Sequence, residues 1–207
     1  ERPLSSMQAA IDLLEDVAPV FQDKLAIAVN SGGLEPYSAE ISFNYSDTGL
    51  PSSKLVNERR EAGKSTTFYT YFNPQHPNTL TDSPLIGARV LPWVSAQHHL
   101  DGYLRWTYNS WPADVYNDPS YRYKQGDEYI VYPGEDGPIS SLRWEVFREG
   151  VEDFELIKRL REQAGSDNTA LNEALSLIQP DASPSNEVYA NFLDARKLVI
   201  EELERFG

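Results

Sequence analysis

The sequence predicts an α/β fold, in which the chain forms the second half, strands five to eight, of a (β/α)8 TIM-type barrel followed by C-terminal helices. Three observations favour it. Helical and strand patterns alternate along the chain, one strand is apolar throughout, and the alternating pattern contains four strands. Four strands are too few to close a barrel, and an open α/β sheet also fits the alternation. We expect residues 1–165 to form the barrel half and residues 166–207 a C-terminal helical extension.

The first helix and the first strand are marked by proline and by apolar spacing. Pro3 suits a first helical position, and apolar residues recur at helical spacing over about residues 4–17 until Pro19. Residues 25–29 (Leu-Ala-Ile-Ala-Val) are apolar throughout, which is typical of a strand buried on both faces of a parallel sheet. Because the chain starts at Glu1 without Met, we expect it to be a piece of a longer protein.

The second and third strands flank a short polar helix. Apolar and polar residues alternate over residues 39–45, which predicts a strand with one buried face. Residues 52–62 form a polar helical stretch that ends at Gly63. Residues 66–72 are β-branched or aromatic throughout, and therefore predict the third strand.

The next helix and the last strand lead into a long loop. A helix is predicted over residues 84–99, with a kink near Pro92, and a strand over residues 102–108. Residues 109–138 are rich in Tyr, Pro, Gly and Asp and include a short strand at 128–132. Long irregular loops are usually functional or disordered, and the aromatic content favours a functional loop.

Two amphipathic helices are predicted after this loop. Ser140 or Ser141 caps the first, which extends to about residue 164. Its apolar stripe is predicted at Val146, Phe147, Val151, Phe154, Ile157 and Leu160. A weaker helix lies within 166–184, and the last helix spans 185–206. The core positions of that last helix are predicted to be Val188, Phe192, Ala195, Val199 and Leu203.

Composition and charge narrow the possible partners. The chain has 207 residues, 40% hydrophobic and 12% aromatic, which is a globular composition. Its net charge of −14 disfavours nucleic acids and anionic membrane surfaces and suits a neutral or cationic ligand. The absence of cysteine excludes disulfides, Cys-ligated zinc and thiol catalysis. No apolar run reaches the roughly 18 residues of a membrane-spanning helix.

The stretch Asp101–Trp111 is typical of a strand that runs into an aromatic loop. Alternation would place Arg105 and Asn109 on one face and Trp106 on the other. Flat rings stack on sugar faces, while Asn and Tyr side chains hydrogen-bond to hydroxyls and amides. A sugar-binding cleft wall and an aromatic core strand are both compatible with this stretch.

The histidines and most acidic residues show no strong catalytic or metal pattern. His98 and His99 are neighbours on a predicted helix, so their side chains diverge by about 100° and suit a shared metal ion poorly. We therefore expect neither a metal ion nor a cofactor. His76, between two prolines, could contact a ligand. Turn chemistry explains most of the loop acids, which are Asp101, Asp114, Asp118, Asp127 and Asp136.

The charged residues of the long helix allow two interpretations. Solvated pairs at helical spacing account best for Glu149, Glu152, Asp153 and Glu155. A buried polar network under the site is the interpretation for Arg89, Arg105, Arg143 and Glu145. Glu1 differs from all of these, because at the end of a fourth barrel strand its carboxylate would face the cleft, where a general acid belongs.

Five segments resemble glycoside hydrolase family 123 and its wider relatives. They are Gly63 with Phe68–Tyr71, Pro84–Trp93, Asp101–Trp111, Tyr132–Gly134 and Ser141–Glu155. The likeness covers about residues 1–165, and the last segment is the most specific because its ordered spacing of Arg, Glu, Gly and Asp is long. The resemblance implies a (β/α)8 catalytic domain that cleaves β-linked N-acetylgalactosamine, with residues 1–165 as its C-terminal half.

The resemblance also implies substrate-assisted retaining hydrolysis, in which the sugar's acetamido oxygen attacks the anomeric carbon. An Asp steadies the acetamide, and the Glu directly after it acts as general acid/base. The family's Asp-Glu-Pro pattern matches Glu1-Arg-Pro3 with an Arg inserted, so Glu1 would be the acid/base and the Asp would be the residue before it. The substrate-binding residues would be Tyr69, Tyr71, Trp106, Asn109 and Trp111.

Three functional hypotheses follow. The first is a glycosidase of the β-N-acetylhexosaminidase type, with N-acetylgalactosamine as the expected sugar. The second is a non-catalytic glycan-binding or scaffold domain on the same fold, and the third is a hydrolase with an enzyme nucleophile. We expect a glycan substrate as partner, together with the missing N-terminal half of the barrel or an oligomer partner. The resemblance implies an extracellular or periplasmic location.

Overall fold

The computed structural model describes residues 4–18, 26–29, 38–47, 49–119, 123–182 and 184–207. Within these ranges helices and strands alternate before three final helices. Their bounds are α1 Leu4–Val17, β1 Ala26–Val29, β2 Glu40–Asn44, α2 Ser53–Glu61, β3 Ser65–Thr70, α3 Leu85–Gln97, β4 Gly102–Arg105, α4 Leu142–Ala164, α5 Thr169–Leu177 and α6 Asn186–Glu204. The predicted helices and the four predicted sheet strands are present, with bounds that differ by a few residues.

The chain divides into two compact units. The first comprises Glu1–Thr70 and His98–Leu104, and the second comprises Tyr71–Gln97 and Arg105–Gly207. The first unit holds α1, α2 and the sheet, whereas the second holds α3 to α6 and the long loop before α4. The predicted domain boundary at residue 165 stays a prediction.

The four strands form one sheet in the order β1-β2-β3-β4. β1 pairs with β2 in parallel, with Ile27 opposite Ile41. β2 pairs with β3 in parallel, with Phe43 opposite Phe68. Neighbours in the sheet are therefore also neighbours along the chain, and the predicted α/β class with a parallel sheet is confirmed.

β1 is more exposed than its apolar run predicted. Ala26 and Ala28 are exposed, and Ile27 is half-buried. The strand lies at the end of the strand order, so one of its edges has no strand beside it among the described residues. The prediction that this strand is buried on both faces is therefore wrong, whereas the next strand, β2, is buried from Ile41 to Asn44.

α1 contributes its apolar stripe to the core of the first unit. Ile11 is buried against Ile41 and Phe43, and three partly buried side chains pack on this cluster, namely Met7, Ile27 and Leu55. The i, i+4 spacing of Met7 and Ile11 places both on one face of α1. The helix therefore covers the sheet with Met7 and Ile11, whereas Val17, at its end, is exposed.

α2 is fixed by a cap at its start and by a buried arginine near its end. The Ser52 hydroxyl accepts a hydrogen bond from the backbone N–H of Leu55 at 3.3 Å. Arg59 is buried, and its guanidinium donates to Thr66 Oγ1 at 3.0 Å and to the carbonyl oxygen of Ser65 at 2.8 Å. This side chain joins α2 to the start of β3. Arg59 therefore contributes to the packing of the first unit, although most of α2 is polar.

α3 and α4 pack closely in the second unit. α3 is buried almost all round and continues through Pro92, while the predicted kink stays a prediction. Gly150 on α4 makes the close approach possible, because a Cβ there would lie 2.6 Å from the carbonyl oxygen of Arg89. Leu85, the first residue of α3, is 40% exposed.

The buried face of α4 differs from the predicted apolar stripe. Ile157 and Leu160 are buried as predicted, but Val151 is exposed and Asp153 is buried. The Asp153 carboxylate accepts hydrogen bonds from Arg89, Trp93 and Arg196, which explains its burial. The interpretation of Asp153 as a solvated residue is therefore wrong, whereas the neighbouring acids Glu149, Glu152 and Glu155 are exposed as predicted.

α5 and α6 pack beside α4 within the second unit. Phe192, Ala195 and Val199 of α6 are buried, as their spacing predicted. Ser185 caps α6 by accepting from the backbone N–H of Val188 at 3.3 Å. Among the helices that the structure describes, none combines the length and hydropathy that crossing a membrane requires.

Candidate functional site

β4 ends at Arg105, three residues before the predicted end of the strand at residue 108. The segment after it pairs with the long loop instead. The Thr107 N–H donates to the carbonyl oxygen of Asp127 at 3.1 Å, and the Ser110 N–H donates to that of Glu128 at 2.8 Å. The predicted face alternation beyond Arg105 is therefore wrong, because backbone pairing with the loop replaces a strand.

The predicted strand at 128–132 is likewise reduced to isolated pairings. Asn109 forms an antiparallel bridge with Tyr129, and Tyr132 forms one with Ile139. The Ile130 N–H donates to the carbonyl oxygen of Tyr108 at 2.9 Å. We call residues 105–110 the binding segment and residues 126–130 the support segment.

Trp106 and Asn109 are the most accessible of the predicted substrate-binding residues. Trp106 is 49% exposed, and its indole has no ring or hydrogen-bond partner among the described residues. Asn109 is also exposed, and its bridge to Tyr129 uses the backbone alone. An unpaired ring and a free carboxamide three positions apart provide the two contact types that an N-acetyl sugar requires.

The other predicted substrate-binding residues have partners within the protein. Trp111 is half-buried and donates from Nε1 to the carbonyl oxygen of Val131 at 2.7 Å. Tyr71 lies edge-on to Phe72, with ring centroids 4.3 Å apart. Tyr69 belongs to the first unit, is 9% exposed, and its hydroxyl accepts from Asn44 Nδ2 at 3.2 Å. Glu1, the predicted acid/base, lies outside the described residues.

Aromatic rings continue from the binding segment to the start of α4. Tyr108 is 40% exposed and lies edge-on to Trp144 at a centroid distance of 5.4 Å. Tyr116 stacks on Tyr132 at 5.7 Å, and the Tyr116 hydroxyl donates to the carbonyl oxygen of Pro133 at 2.8 Å. These rings are paired with one another, so Trp106 remains the ring best placed to receive a ligand.

The binding and support segments are joined by a buried ion pair. Arg105 Nη2 donates to Asp127 Oδ1 at 3.1 Å and to the carbonyl oxygens of Asp127 and Gly126 at 2.6 and 3.1 Å. Asp127 is fully buried, and its second carboxylate oxygen, Oδ2, has no hydrogen-bond partner among the described residues. Burial, the largest influence, raises the pKa of Asp127 to about 6 despite the opposing charge of Arg105.

Arg143, at the start of α4, holds the support segment from the other side. Its Nη1 donates to the carbonyl oxygens of Tyr129 at 3.0 Å and Thr79 at 2.6 Å. Its guanidinium also lies 5.5 Å from the centre of the Tyr129 ring. Burial lowers the pKa of Arg143, although carbonyl and aromatic partners surround the charge.

A family model described as "Glycoside hydrolase 123, catalytic domain" matches residues 1–160. The chain belongs to glycoside hydrolase family 123. The resemblance drawn from the five segments is thereby confirmed. None of the curated proteins matches the chain.

A solved structure supports the fold of this family 123 chain. It is that of a family 123 glycoside hydrolase from Clostridium perfringens, described in work on glycolipid glycan hydrolysis. The two share 21% sequence identity with a TM-score of 0.79, over 99% of this chain and 40% of that one. At this identity the likeness establishes the fold alone, and the chain spans less than half the length of that structure.

The four residues of the predicted polar network separate into two pairs in the structure. Arg105 and Arg143 both bind the support segment. Arg89 belongs instead to the network around Asp153, and Glu145 pairs with Arg148 at 2.9 Å in a half-exposed position. Two of the four expected residues therefore form a buried network on the support segment, and the position of this network under a ligand site stays a prediction.

Asp127 and Glu128 are the site residues that sequence reasoning missed. Both are buried, whereas Asp127 was assigned to turn chemistry. The turn assignment holds for Asp114, whose carboxylate accepts from the Asn117 N–H at 3.1 Å. The signal that could have separated them is the run Tyr-Ile-Val-Tyr directly after Glu128, because an acidic pair joined to an apolar run predicts burial rather than a surface turn.

The histidines do not form a metal site in the part of the chain that the structure describes. No group of three or more His, Asp or Glu side chains in those residues could hold a metal ion. His76 is half-buried, and neither ring nitrogen has a hydrogen-bond partner among the described residues. Burial lowers the pKa of His76, so its imidazole is neutral at pH 7.

Proposed function

We propose that the protein that carries this chain hydrolyses β-linked N-acetylhexosamine, with N-acetylgalactosamine as the expected sugar. The observation that carries the proposal is the exposed indole of Trp106, three positions before the exposed carboxamide of Asn109 in a family 123 chain; neither side chain has a partner among the described residues. A ring suits the sugar face or the acetyl methyl, and a carboxamide can donate to and accept from the acetamide.

We propose that the sheet is the second half of a (β/α)8 barrel. The sequential order β1-β2-β3-β4 supports this, because barrels keep sequential parallel strands side by side, whereas doubly wound sheets reverse order at a switch point. Exposed Ala26 and Ala28 on β1 give further support, because a preceding barrel strand would cover an apolar edge of this kind. The partner strands would come from the remainder of the protein or from a second chain.

We propose substrate-assisted retaining chemistry, which the resemblance of Glu1-Arg-Pro3 to the family's Asp-Glu-Pro pattern supports. The acetamido oxygen forms a bond to the anomeric carbon while the glycosidic bond breaks, and Glu1 gives its proton to the leaving oxygen. Water then attacks the anomeric carbon of the oxazoline-type intermediate, the bond between that carbon and the acetamido oxygen breaks, and the water gives a proton to Glu1. Retention results because two displacements occur at the same carbon.

The expected substrate is a terminal sugar on a larger glycan. The Clostridium perfringens enzyme was described for glycolipid glycan hydrolysis, which makes a glycolipid glycan a reasonable first substrate to test. Such glycans lie outside the cytoplasm, and we therefore propose an extracellular or periplasmic location for the protein. The uncharged glycan is compatible with the net charge of −14.

The test compares two chromogenic substrates with the complete natural protein. We expect hydrolysis of an N-acetyl-β-galactosaminide, no comparable hydrolysis of the β-galactoside that lacks the acetamide, and a loss of roughly a hundredfold or more in kcat for Glu1→Gln. Equal turnover of both substrates would contradict substrate assistance and favour an enzyme nucleophile. Binding of the sugar without hydrolysis would instead identify a glycan-binding domain.

A further inference from the structure

The binding segment is held by the support segment rather than by a neighbouring strand. The carbonyl oxygen of Asp127 accepts from both Arg105 Nη2 and the Thr107 N–H, at 2.6 and 3.1 Å. The carbonyl oxygen of Glu128 accepts from Thr107 Oγ1 at 2.7 Å and from the Ser110 N–H at 2.8 Å. The backbone on both sides of Trp106 is therefore positioned by residues 127 and 128.

The Asp127 side chain cannot contact a substrate, because the residue is fully buried. Its carboxylate binds Arg105, the residue directly before Trp106, at 3.1 Å. Arg105 spans the turn by donating to the carbonyl oxygens of Gly126 and Asp127 as well. A buried ion pair fixes the relative position of its two side chains, and the loss of either charge is strongly destabilising.

We propose that Asp127 is a positioning residue of the saccharide site, whose carboxylate holds Arg105 and thereby sets the position of Trp106. That the ligand at Trp106 is a sugar rests on the proposed function, but the coupling between Asp127 and Trp106 does not. The Asp127 side chain thus acts through Arg105 and the backbone, without touching the ligand.

The charges around Asp127 make this positioning dependent on pH. Arg105 faces it from the end of β4, and Lys124 and Glu128 face it from the loop. Arg143 of α4 donates to the adjacent Gly126 carbonyl oxygen at 3.3 Å. Burial raises the pKa of Asp127 to about 6, so the carboxylate gains its proton as the pH falls through 6. The ion pair is then replaced by a hydrogen bond from the charged guanidinium to a neutral carboxyl group, and Arg105 is held less firmly.

The experiment measures the tryptophan fluorescence of the natural protein between pH 5 and 7.5. Subtracting the spectrum of Trp106→Phe at each pH isolates the Trp106 signal from the other indoles. We expect this difference to titrate with a midpoint near 6, and to be independent of pH in Asp127→Asn. A Trp106 signal that does not titrate in the unmodified protein, or that still titrates in Asp127→Asn, would overturn the proposal.

Glu128→Gln is the matched control, because Glu128 is the buried neighbour that supports Thr107 through its backbone alone. Its negative charge contributes to raising the pKa of Asp127, so we expect its removal to lower the midpoint without abolishing the titration. Should Asp127→Asn fail to fold, this shift alone decides the question. An unchanged or higher midpoint in Glu128→Gln would count against Asp127 as the titrating group.

Kinetics provide the readout at the site itself. We expect Asp127→Asn to raise KM for an N-acetyl-β-galactosaminide by roughly tenfold near pH 7, while Glu128→Gln changes it less. The profile of KM against pH should lose its rise below pH 6 in Asp127→Asn. An absence of hydrolysis in the unmodified protein would count against the proposed function, whereas the fluorescence titration would still test the coupling.

Discussion

Arg196 Nε lies 2.8 Å from Asp153 Oδ1 and joins α6 to the middle of α4 by a buried ion pair. The same carboxylate accepts from Arg89 Nε at 2.9 Å and from Trp93 Nε1 at 3.2 Å. Three helices of the second unit therefore meet on one carboxylate. The Asp153 side chain is buried, which limits competition by water at its carboxylate, whereas the Arg196 side chain is 39% exposed.

Asp153→Asn should destabilise the protein strongly, because it removes the charge partner of Arg196 and leaves Arg89 with Glu149 alone. Removing one member of a buried ion pair typically costs about 3–5 kcal/mol. Glu152→Gln, at the adjacent exposed position, should change the free energy of unfolding by less than about 0.5 kcal/mol. Urea unfolding of both variants measures the difference, and similar stabilities would contradict a structural role for Asp153.

Gly150→Ala should also be destabilising, for steric reasons. Its Cβ would lie 2.6 Å from the carbonyl oxygen of Arg89 and 3.1 Å from Pro92 Cγ, so α3 and α4 would have to separate. We expect a loss of roughly 1–3 kcal/mol. Gly102→Ala is the control, since its Cβ would meet only Thr67 Cγ2, at an ordinary 3.7 Å. Equal melting temperatures for the two variants would disagree with the close helix packing.

Tyr69→Phe tests whether Tyr69 has a structural or a ligand-binding role. The Tyr69 hydroxyl accepts a buried hydrogen bond from Asn44 at 3.2 Å, so its removal should lower stability by about 1 kcal/mol. Tyr189→Phe, on an exposed ring of α6, should have no measurable effect. If Tyr69→Phe left stability unchanged but weakened sugar binding, the hydroxyl would act on the ligand instead.

The contribution of Asp127 to the stability of the protein should fall as the pH rises from about 4 to 6. Its pKa is about 6 in the folded protein against an ordinary value of 3.8, so in this range the folded state retains a proton that the unfolded state releases. The contribution is roughly 3 kcal/mol at about 1.4 kcal/mol per pH unit. Asp127→Asn removes it, and its free energy of unfolding relative to the unmodified protein should therefore increase from pH 4 to pH 7. Parallel pH profiles of the two proteins would refute this.

The order of helices and strands could be predicted from the sequence, because it depends on local signals. Apolar spacing and capping residues such as Ser52 and Ser185 are encoded within a few positions. The exposure of β1 could not be predicted, since an apolar run does not tell whether a neighbouring strand is present. Strand order and edges depend on contacts between residues far apart in sequence.

The candidate site was predicted less completely than the fold. Trp106 and Asn109 were selected correctly as accessible polar and aromatic groups, and their role in binding stays a prediction. Asp127 and Asp153 were misjudged because a buried carboxylate and a solvated one have the same local sequence context. Their burial depends on Arg105 and Arg196, and only the folded chain brings these arginines to the carboxylates.

The most direct test of the account is the affinity of the natural protein for N-acetylgalactosamine, measured by calorimetry for Trp106→Ala and Tyr189→Ala. Both remove a ring from an exposed position, 49% and 45% accessible. We predict that Trp106→Ala weakens binding by about tenfold or more, roughly 1.4 kcal/mol, with little change in melting temperature, whereas Tyr189→Ala leaves the affinity unchanged. Equal affinities of the two variants would contradict the assignment of the binding segment as the saccharide site.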